Sequence, residues 1–240
     1  MRAVRKAFVL AGGIGSRLRP FTLEIPKPLL PVKGKPVLEY NLENLKVHGV
    51  KEVVLGVGYK AEKVREYFGN GERLGLKIKY SLEKEPLGTA GALKLAEKHF
   101  DSTFYMCNGD EVKDINYSLM LELHREKKAI GTLALVEVED ASEFGRVETR
   151  DNLIVSFREK DGLKERGIVS AGAYVLEKKV LRMIPKREKY SIEKQVFPLL
   201  AEKKKLFGCK MATQFFPADN PQRYEKAIME WNGITGGGKK

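Results

Sequence analysis

Three glycines, an arginine and a lysine crowd into residues 12–27, and together they are the first groups in this chain that could do chemistry. Gly12, Gly13 and Gly15 bare main-chain N–H groups in a turn able to wrap a phosphate. Arg17 adds a planar donor fork suited to phosphate oxygens, and Lys27 stands between Pro26 and Pro28 in a stiff segment. Fixed cations beside a glycine turn point to a polyphosphate. A Walker-type loop would close on Gly-Lys-Ser/Thr, which Gly15-Ser16-Arg17 does not supply. A dinucleotide fingerprint would need glycine where Leu18 stands, followed by a helix, and here the chain runs into prolines. A plain Gly/Pro surface turn is the bland alternative, and it leaves Arg17 and Lys27 unexplained.

Other chemistry-bearing groups fall where strands should end. Asp110 closes Asn108-Gly109-Asp110, where it either makes an Asx-turn or serves a site, with Glu111 a spare acid beside it. Asp219 precedes Asn220-Pro221 and a helical pattern, the place of a helix cap. Glu159-Lys160 follows Ile154-Val155-Ser156-Phe157 and by itself reads as a solvated ion pair. His48, His99 and His124 each lie in or beside a helix without an evident Ser or Cys partner, so triad chemistry has no support.

These side chains need a scaffold, and hydrophobic periodicity supplies an α/β one. Residues 7–10, 51–58, 77–81 and 103–107 read as strands, and 36–45, 61–68 and 89–100 as helices, the last capped by Thr89. This alternation predicts a Rossmann-like, mostly parallel sheet flanked by helices on both faces. Strands at 130–138, 145–148, 153–158 and 169–176 follow without full helices between them, so that part of the sheet is expected to be mixed. Helices return at 178–184, 191–202 and 221–231. The expected organisation is one domain over residues 1–232, in halves of about 1–115 and 116–232, with 233–240 a disordered tail.

The totals narrow the class. A chain of 240 residues, 42% hydrophobic, can bury a sizeable core. The +12 formal charge could signal nucleic acid, yet Lys60-Ala-Glu-Lys63 and Arg125-Glu-Lys-Lys128 interleave both signs as solvated helix faces do, so no nucleic-acid partner is expected. No apolar run approaches the ~20 residues of a membrane span, and the N-terminal apolar run passes straight into the glycine turn, reading as strand and not as signal peptide. Cys107 and Cys209 belong to no metal or disulfide spacing, which fits a reducing cytoplasm. No hexapeptide repeat is present, so no β-helix domain is expected.

The run GGxGxRLxPxTxxxPKPLLPV from Gly12 to Val32 resembles the signature of the sugar-phosphate nucleotidyltransferases, or nucleotide-sugar pyrophosphorylases. Glu85-Pro-Leu-Gly-Thr-Ala-Gly91, Asn108-Gly-Asp110, Glu143-Phe-Gly145, Glu159-Lys160 and Asp219 extend the similarity from Lys6 to about Trp231. The resemblance implies the nucleotide-diphospho-sugar transferase fold and transfer of a nucleotidyl group from an NTP to a sugar 1-phosphate, releasing pyrophosphate. It assigns nucleotide binding to Leu10, Gly12, Gly13, Gly15, Glu85 and Gly88, and catalysis to Arg17, Lys27 and Asp110. Asp110 and Asp219 would hold Mg²⁺, which needs only one or two carboxylates beside phosphate oxygens and water. Gly145, Glu159, Lys160 and Ser170 would bind the sugar phosphate in the second half. Relatives commonly read Asp-Ile/Thr-Gly where this chain has Asp219-Asn-Pro, and Asn-Ala-Gly where it has Ser170-Ala-Gly.

Within that family the short chain and its Glu-Pro-Leu-Gly-Thr-Ala-Gly segment most resemble mannose-1-phosphate guanylyltransferases and related hexose or heptose enzymes. GTP with such a sugar 1-phosphate is therefore expected, and a homo-oligomer is compatible with it. The alternative is a thymidylyl- or uridylyltransferase acting on glucose 1-phosphate or an amino sugar. A non-catalytic regulatory subunit that binds nucleotide-sugars is the reading from another class, and Arg17, Lys27, Asp110 and Asp219 argue against it. An ionised Glu85 offers only acceptors and so suits guanine's adjacent donors; the alternative is that Glu85 faces solvent, as Glu83 and Lys84 are expected to do, and leaves the Gly88 main chain to read the base.

Overall fold

The apolar run at residues 7–10 does become a strand. In the computed structural model, which describes residues 3–159 and 162–236, Lys6–Leu10 lies parallel to Glu52–Val57, and that strand lies parallel to Lys77–Leu82. Leu10 pairs with Gly56 and Gly56 with Ser81, so the three carboxyl ends finish level. The first two strands are buried with little alternation, as parallel strands covered on both faces require, while Lys77–Leu82 is only partly buried. The chain divides into two units, Met1–Pro86 with Met106–Asp114 and Thr213–Lys240, and Leu87–Tyr105 with Ile115–Ala212.

In the first unit, helix Val37–Val47 buries Leu38, Leu42 and Leu45, and with them Asn41 and Asn44. The two amides are three residues apart and so share a helix face. Asn41 Nδ2 donates to the Glu111 carbonyl at 2.8 Å and Asn44 Nδ2 to Asp114 Oδ1 at 3.0 Å, tying the helix to the short strand Glu111–Lys113. That strand pairs antiparallel with Phe215–Pro217, ahead of helix Pro221–Glu230. Thr235 and Gly236, expected to lie in a disordered tail, are instead tied to Asp114. The Thr235 N–H and hydroxyl and the Gly236 N–H all donate to its buried carboxylate, which needs such donors to offset its burial. Residues 237–240 lie outside the described residues.

In the second unit the strands are mixed, as expected. Gly167–Leu176 runs antiparallel to Gly131–Val138, and Leu153–Glu159 antiparallel to Gly145–Arg150, while Leu206–Lys210 is parallel to Gly131–Val138. Helix Tyr117–Glu126, capped by Asn116, and strand Leu206–Lys210 are elements the periodicity did not reveal. The helix expected at 89–100 is α from Gly88 to Leu95 and then a 3₁₀ turn, and its N-cap is Leu87, not Thr89. The stretch at 191–202 opens as a π-helical turn, Ile192–Val196, before α-helix Phe197–Glu202. Among the described residues, no helix is long and apolar enough to cross a membrane.

Candidate active site

The glycine turn starts where the first strand stops. The Ala11 N–H donates to the Gly56 carbonyl at 2.8 Å, one last ladder bond, and the chain then leaves the sheet. Gly15 takes a left-handed backbone (φ +68°), which favours glycine, and the Thr22 hydroxyl donates to its carbonyl at 2.8 Å. At Gly13 a β-carbon would meet nothing within 4 Å, so the main chain there is open to a ligand. Ser16–Leu18 is a single 3₁₀ turn, neither the P-loop nor the dinucleotide helix.

Two ion pairs of the same design stand beside this turn. Lys27, held by a 3₁₀ turn after extended Pro26, is buried, and its Nζ lies 2.5 Å from Asp110 Oδ2. Arg17 Nη2 lies 2.9 Å from Asp219 Oδ2 with half of the arginine side chain exposed, and Arg223 Nη1 reaches Asp219 Oδ1 at 3.1 Å. The cap of helix Pro221–Glu230 is Asn220, which accepts from the Arg223 N–H. Asp219 is thereby left to its guanidinium partners, contrary to the capping role its position suggested.

The short ladder brings the two aspartates to neighbouring backbone positions. Pro217 pairs with Glu111, and one residue further the Ala218 N–H donates to the Asp110 carbonyl at 3.4 Å. Leu18, Val112 and Ala218, the neighbours of Arg17, Glu111 and Asp219, belong to one buried cluster with Tyr224 and Trp231, so a common core anchors the charged corner. Behind it, Lys113, almost fully buried, donates to Glu111 Oε2 at 2.7 Å and to the Asn108 carbonyl at 3.2 Å.

Burial opposes ionisation of Asp110, but Lys27, with Lys113 beyond, outweighs it and holds the carboxyl below its ordinary range. At Glu111 burial wins over the pull of Lys113, and with the charge of Asp110 it pushes that carboxyl up.

No group of three or more His, Cys, Asp or Glu side chains suited to a metal occurs among the described residues. Two hard carboxylates at one corner, each neutralised by a cation, still fit Mg²⁺ arriving with phosphate oxygens that would take over those cations.

Of the other expected nucleotide groups in this unit, Glu85 is exposed. The acid set against the glycine turn is Glu83, expected to face solvent. A β-carbon on Gly12 would lie 3.0 Å from its Oε1. The Glu83 N–H donates to the Val57 carbonyl at 2.8 Å, prolonging the parallel ladder by one residue. Carrying the strand alternation from buried Ser81 two residues on would have placed Glu83 inward.

In the second unit, Gly145 pairs with Glu159 across the ladder, and a β-carbon on Gly145 would lie 2.9 Å from Glu159 Oε2 and 2.7 Å from the Phe157 ring. Ser170 follows Val169, the partner of Arg146, and so comes to the same ladder end at a shift in register. The structure thus brings Gly145, Glu159 and Ser170 together. Lys160 lies outside the described residues. Gly88, also in this unit, opens helix Gly88–Leu95 with a left-handed backbone.

A family model described as Nucleotidyl transferase matches residues 6–232. The D-glycero-alpha-D-manno-heptose 1-phosphate guanylyltransferase of Campylobacter jejuni is 43% identical over 189 residues, which are 78% of this chain and 83% of that protein. A UTP–glucose-1-phosphate uridylyltransferase of Synechocystis is 37% identical over 214 residues, 82% of this chain and 55% of that longer protein. Among solved structures, HddC from Yersinia pseudotuberculosis complexed with GMP-PN superposes with a TM-score of 0.79 at 31% identity, over 94% of this chain and 98% of that one.

Proposed function

The chain belongs to the nucleotidyl transferase family, and on that premise we propose that it is a cytoplasmic, Mg²⁺-dependent guanylyltransferase. It joins GTP to mannose 1-phosphate or a related hexose or heptose 1-phosphate, giving a GDP-sugar and pyrophosphate. The observation that carries this reading is the doubled ion pair beside the glycine turn, Lys27 with Asp110 and Arg17 with Asp219. Cations already fixed in place can pass to phosphate oxygens with little reorganisation.

A sugar-phosphate oxygen attacks the α-phosphorus in line, the bond from that phosphorus to the bridging oxygen breaks, and pyrophosphate leaves with the electron pair. The attacking phosphate is already ionised near neutral pH, so no protein base is required. Gly12, Gly13 and Gly15 bind the triphosphate, while Lys27 and Arg17 stabilise the charge that develops on the phosphorus and its leaving group. Asp110 and Asp219 would hold Mg²⁺, which when bound supplies further positive charge to those oxygens. Gly145, Glu159 and Ser170 serve the sugar, with Lys160 for its phosphate.

The base falls to Glu83, whose carboxylate can accept from both N1–H and N2–H₂ of guanine. With four charged catalytic groups retained, the regulatory-subunit alternative loses its ground. A screen of pyrophosphate release over all NTPs and a panel of sugar 1-phosphates tests the proposal. GTP with mannose or heptose 1-phosphate is expected to lead, and preference for UTP or dTTP with glucose 1-phosphate would replace it with the uridylyl or thymidylyl alternative.

A further inference from the structure

Thr89 lies within the Glu85–Gly91 motif, yet it neither caps the helix there nor enters the chemistry above. Its hydroxyl donates to Glu193 Oε2 at 2.6 Å and accepts from the Ile192 N–H at 2.9 Å, and the Ser191 hydroxyl donates to the same carboxylate oxygen at 2.8 Å. The main chain adds a second set of bonds. The Tyr190 N–H donates to the Leu87 carbonyl at 2.8 Å, and the Tyr190 carbonyl accepts from Ala90 N–H at 2.9 Å and Gly91 N–H at 3.1 Å. Two of the N–H groups that a helix start leaves without intrahelical partners are thus satisfied from another segment.

The fit is close on both sides. A β-carbon on Gly88 would lie 2.7 Å from the Tyr190 carbonyl oxygen, and Gly88 holds a left-handed backbone (φ +72°). Gly88, Thr89, Ala90 and Gly91 have small side chains with little apolar surface to bury, so these hydrogen bonds weigh heavily in the shape of the turn. Glu193 itself stands in the π-helical turn Ile192–Val196, a rare backbone form that recurs at functional sites.

We propose that Glu193 is a positioning residue, acting through Thr89 and Ser191 to hold the Leu87–Gly91 turn in the shape that presents Gly88 to the nucleotide. This rests on the function proposed above and on Gly88 being a nucleotide contact, as the family resemblance implies. The residue touches no reacting atom, so its loss should appear in nucleotide affinity and not in turnover.

Steady-state kinetics with GTP and mannose 1-phosphate varied in turn test this on Glu193→Ala, Thr89→Val and the double variant. Each single change is expected to raise KM for GTP about tenfold, the scale of one lost hydrogen bond to a charged acceptor. Turnover and KM for mannose 1-phosphate should stay within roughly twofold. The double variant should lose clearly less than the sum of the two singles, because the Thr89–Glu193 bond is common to both. Glu193→Gln and Thr89→Ser, which keep an acceptor and a hydroxyl, should restore most of the affinity. An unchanged KM for GTP in Glu193→Ala, additive losses in the double variant, or a parallel fall of kcat, both affinities and Tm would overturn the proposal.

If the wild-type protein releases no pyrophosphate with any NTP and sugar 1-phosphate, the functional reading fails on its own. Hydrogen exchange then decides the positioning role. Protection of the Ala90 and Gly91 amides that is lost in Glu193→Ala supports it, and equal protection in both proteins refutes it.

Discussion

In the proposed function, the two units would meet phosphate-bearing ligands by different physical means. The first gathers full charges at one corner, each cation already matched to a carboxylate, Lys27 to Asp110 and Arg17 to Asp219. The second, in its described residues, brings a glycine, a serine and one carboxylate to the end of an antiparallel ladder, where Gly145 faces Glu159. A site of paired charges should fail when a charge is neutralised even though shape is kept. A site of strand ends should fail when shape changes even though charge is kept. Substitutions that separate the two properties therefore test the contrast directly.

Asp110→Asn should do the most damage, since it keeps the shape and removes the anion that pairs with Lys27 and that, in the proposed function, would hold a divalent ion. Turnover is expected to fall by roughly 10³-fold or more in protein that remains folded, with some loss of Tm because buried Lys27 loses its counter-charge. Asp219→Asn, whose oxygens are shared by Arg17 and Arg223, should lose about 10²-fold. Full turnover in either variant, or activity that survives chelation of divalent ions, would refute a metal shared by the two aspartates. Next comes Arg17→Ala, expected to cost roughly 3 kcal/mol in kcat with a smaller rise in KM for GTP. A rise in KM alone would make Arg17 a ground-state binder and weaken the contrast.

Glu83→Gln sharpens the first unit's side of the comparison. The amide leaves one guanine donor without its acceptor, so the ratio of kcat/KM for GTP over UTP should fall by roughly 2 kcal/mol. No change in that ratio would remove Glu83 as the reader of the base. Gly145→Ala is the counterpart in the second unit. It adds no charge but needs room 2.7 Å from the Phe157 ring, and it should raise KM for the sugar 1-phosphate roughly tenfold while sparing that for GTP.

What could be read from the chain alone divides along similar lines. Arg17 and Lys27 were legible as charged groups of a phosphate turn because local spacing carries that signal, whereas Asp110 and Asp219 drew a site role only from the family resemblance. The pairing of these cations with the aspartates was not legible, since Lys27 and Asp110 are 83 residues apart and meet only through the fold. Glu83 was misplaced because the strand was ended at Ser81, although Glu83 adds one more ladder bond to Val57. Strand Leu206–Lys210 was hidden by Gly208, a poor strand former. A β-carbon there would lie 2.2 Å from the Leu135 side chain, a demand of the neighbouring strand and not of local sequence. Helix Tyr117–Glu126 did announce itself through Asn116, whose side chain accepts from the Leu119 N–H. Its apolar positions 117, 119, 121 and 123 mimic strand alternation, and that masked the signal.

The smallest expected effect asks whether every charge pair in the first unit belongs to the site. Glu39, almost fully buried, takes two bonds from Arg73 at 3.1 and 2.7 Å and one from Tyr67 at 3.1 Å. Burial opposes its charge, but these partners prevail and its carboxyl titrates below the ordinary value of 4.5. A depressed carboxylate pKa adds stability that is fully present above the unfolded value and is lost as pH falls through the folded one. Arg73 is more than half exposed, so the pair is screened, and Arg73→Ala should cost only about 1 kcal/mol at pH 7. That difference from wild type should shrink as the pH is lowered from about 4.5, because both proteins then carry a protonated Glu39. Urea unfolding at pH 7 and at acid pH measures it, and kcat at pH 7 should be untouched. A loss of turnover in Arg73→Ala would show that the charge network of the first unit reaches beyond the glycine turn. A stability difference independent of pH would show that Arg73 acts through packing and not through its pair.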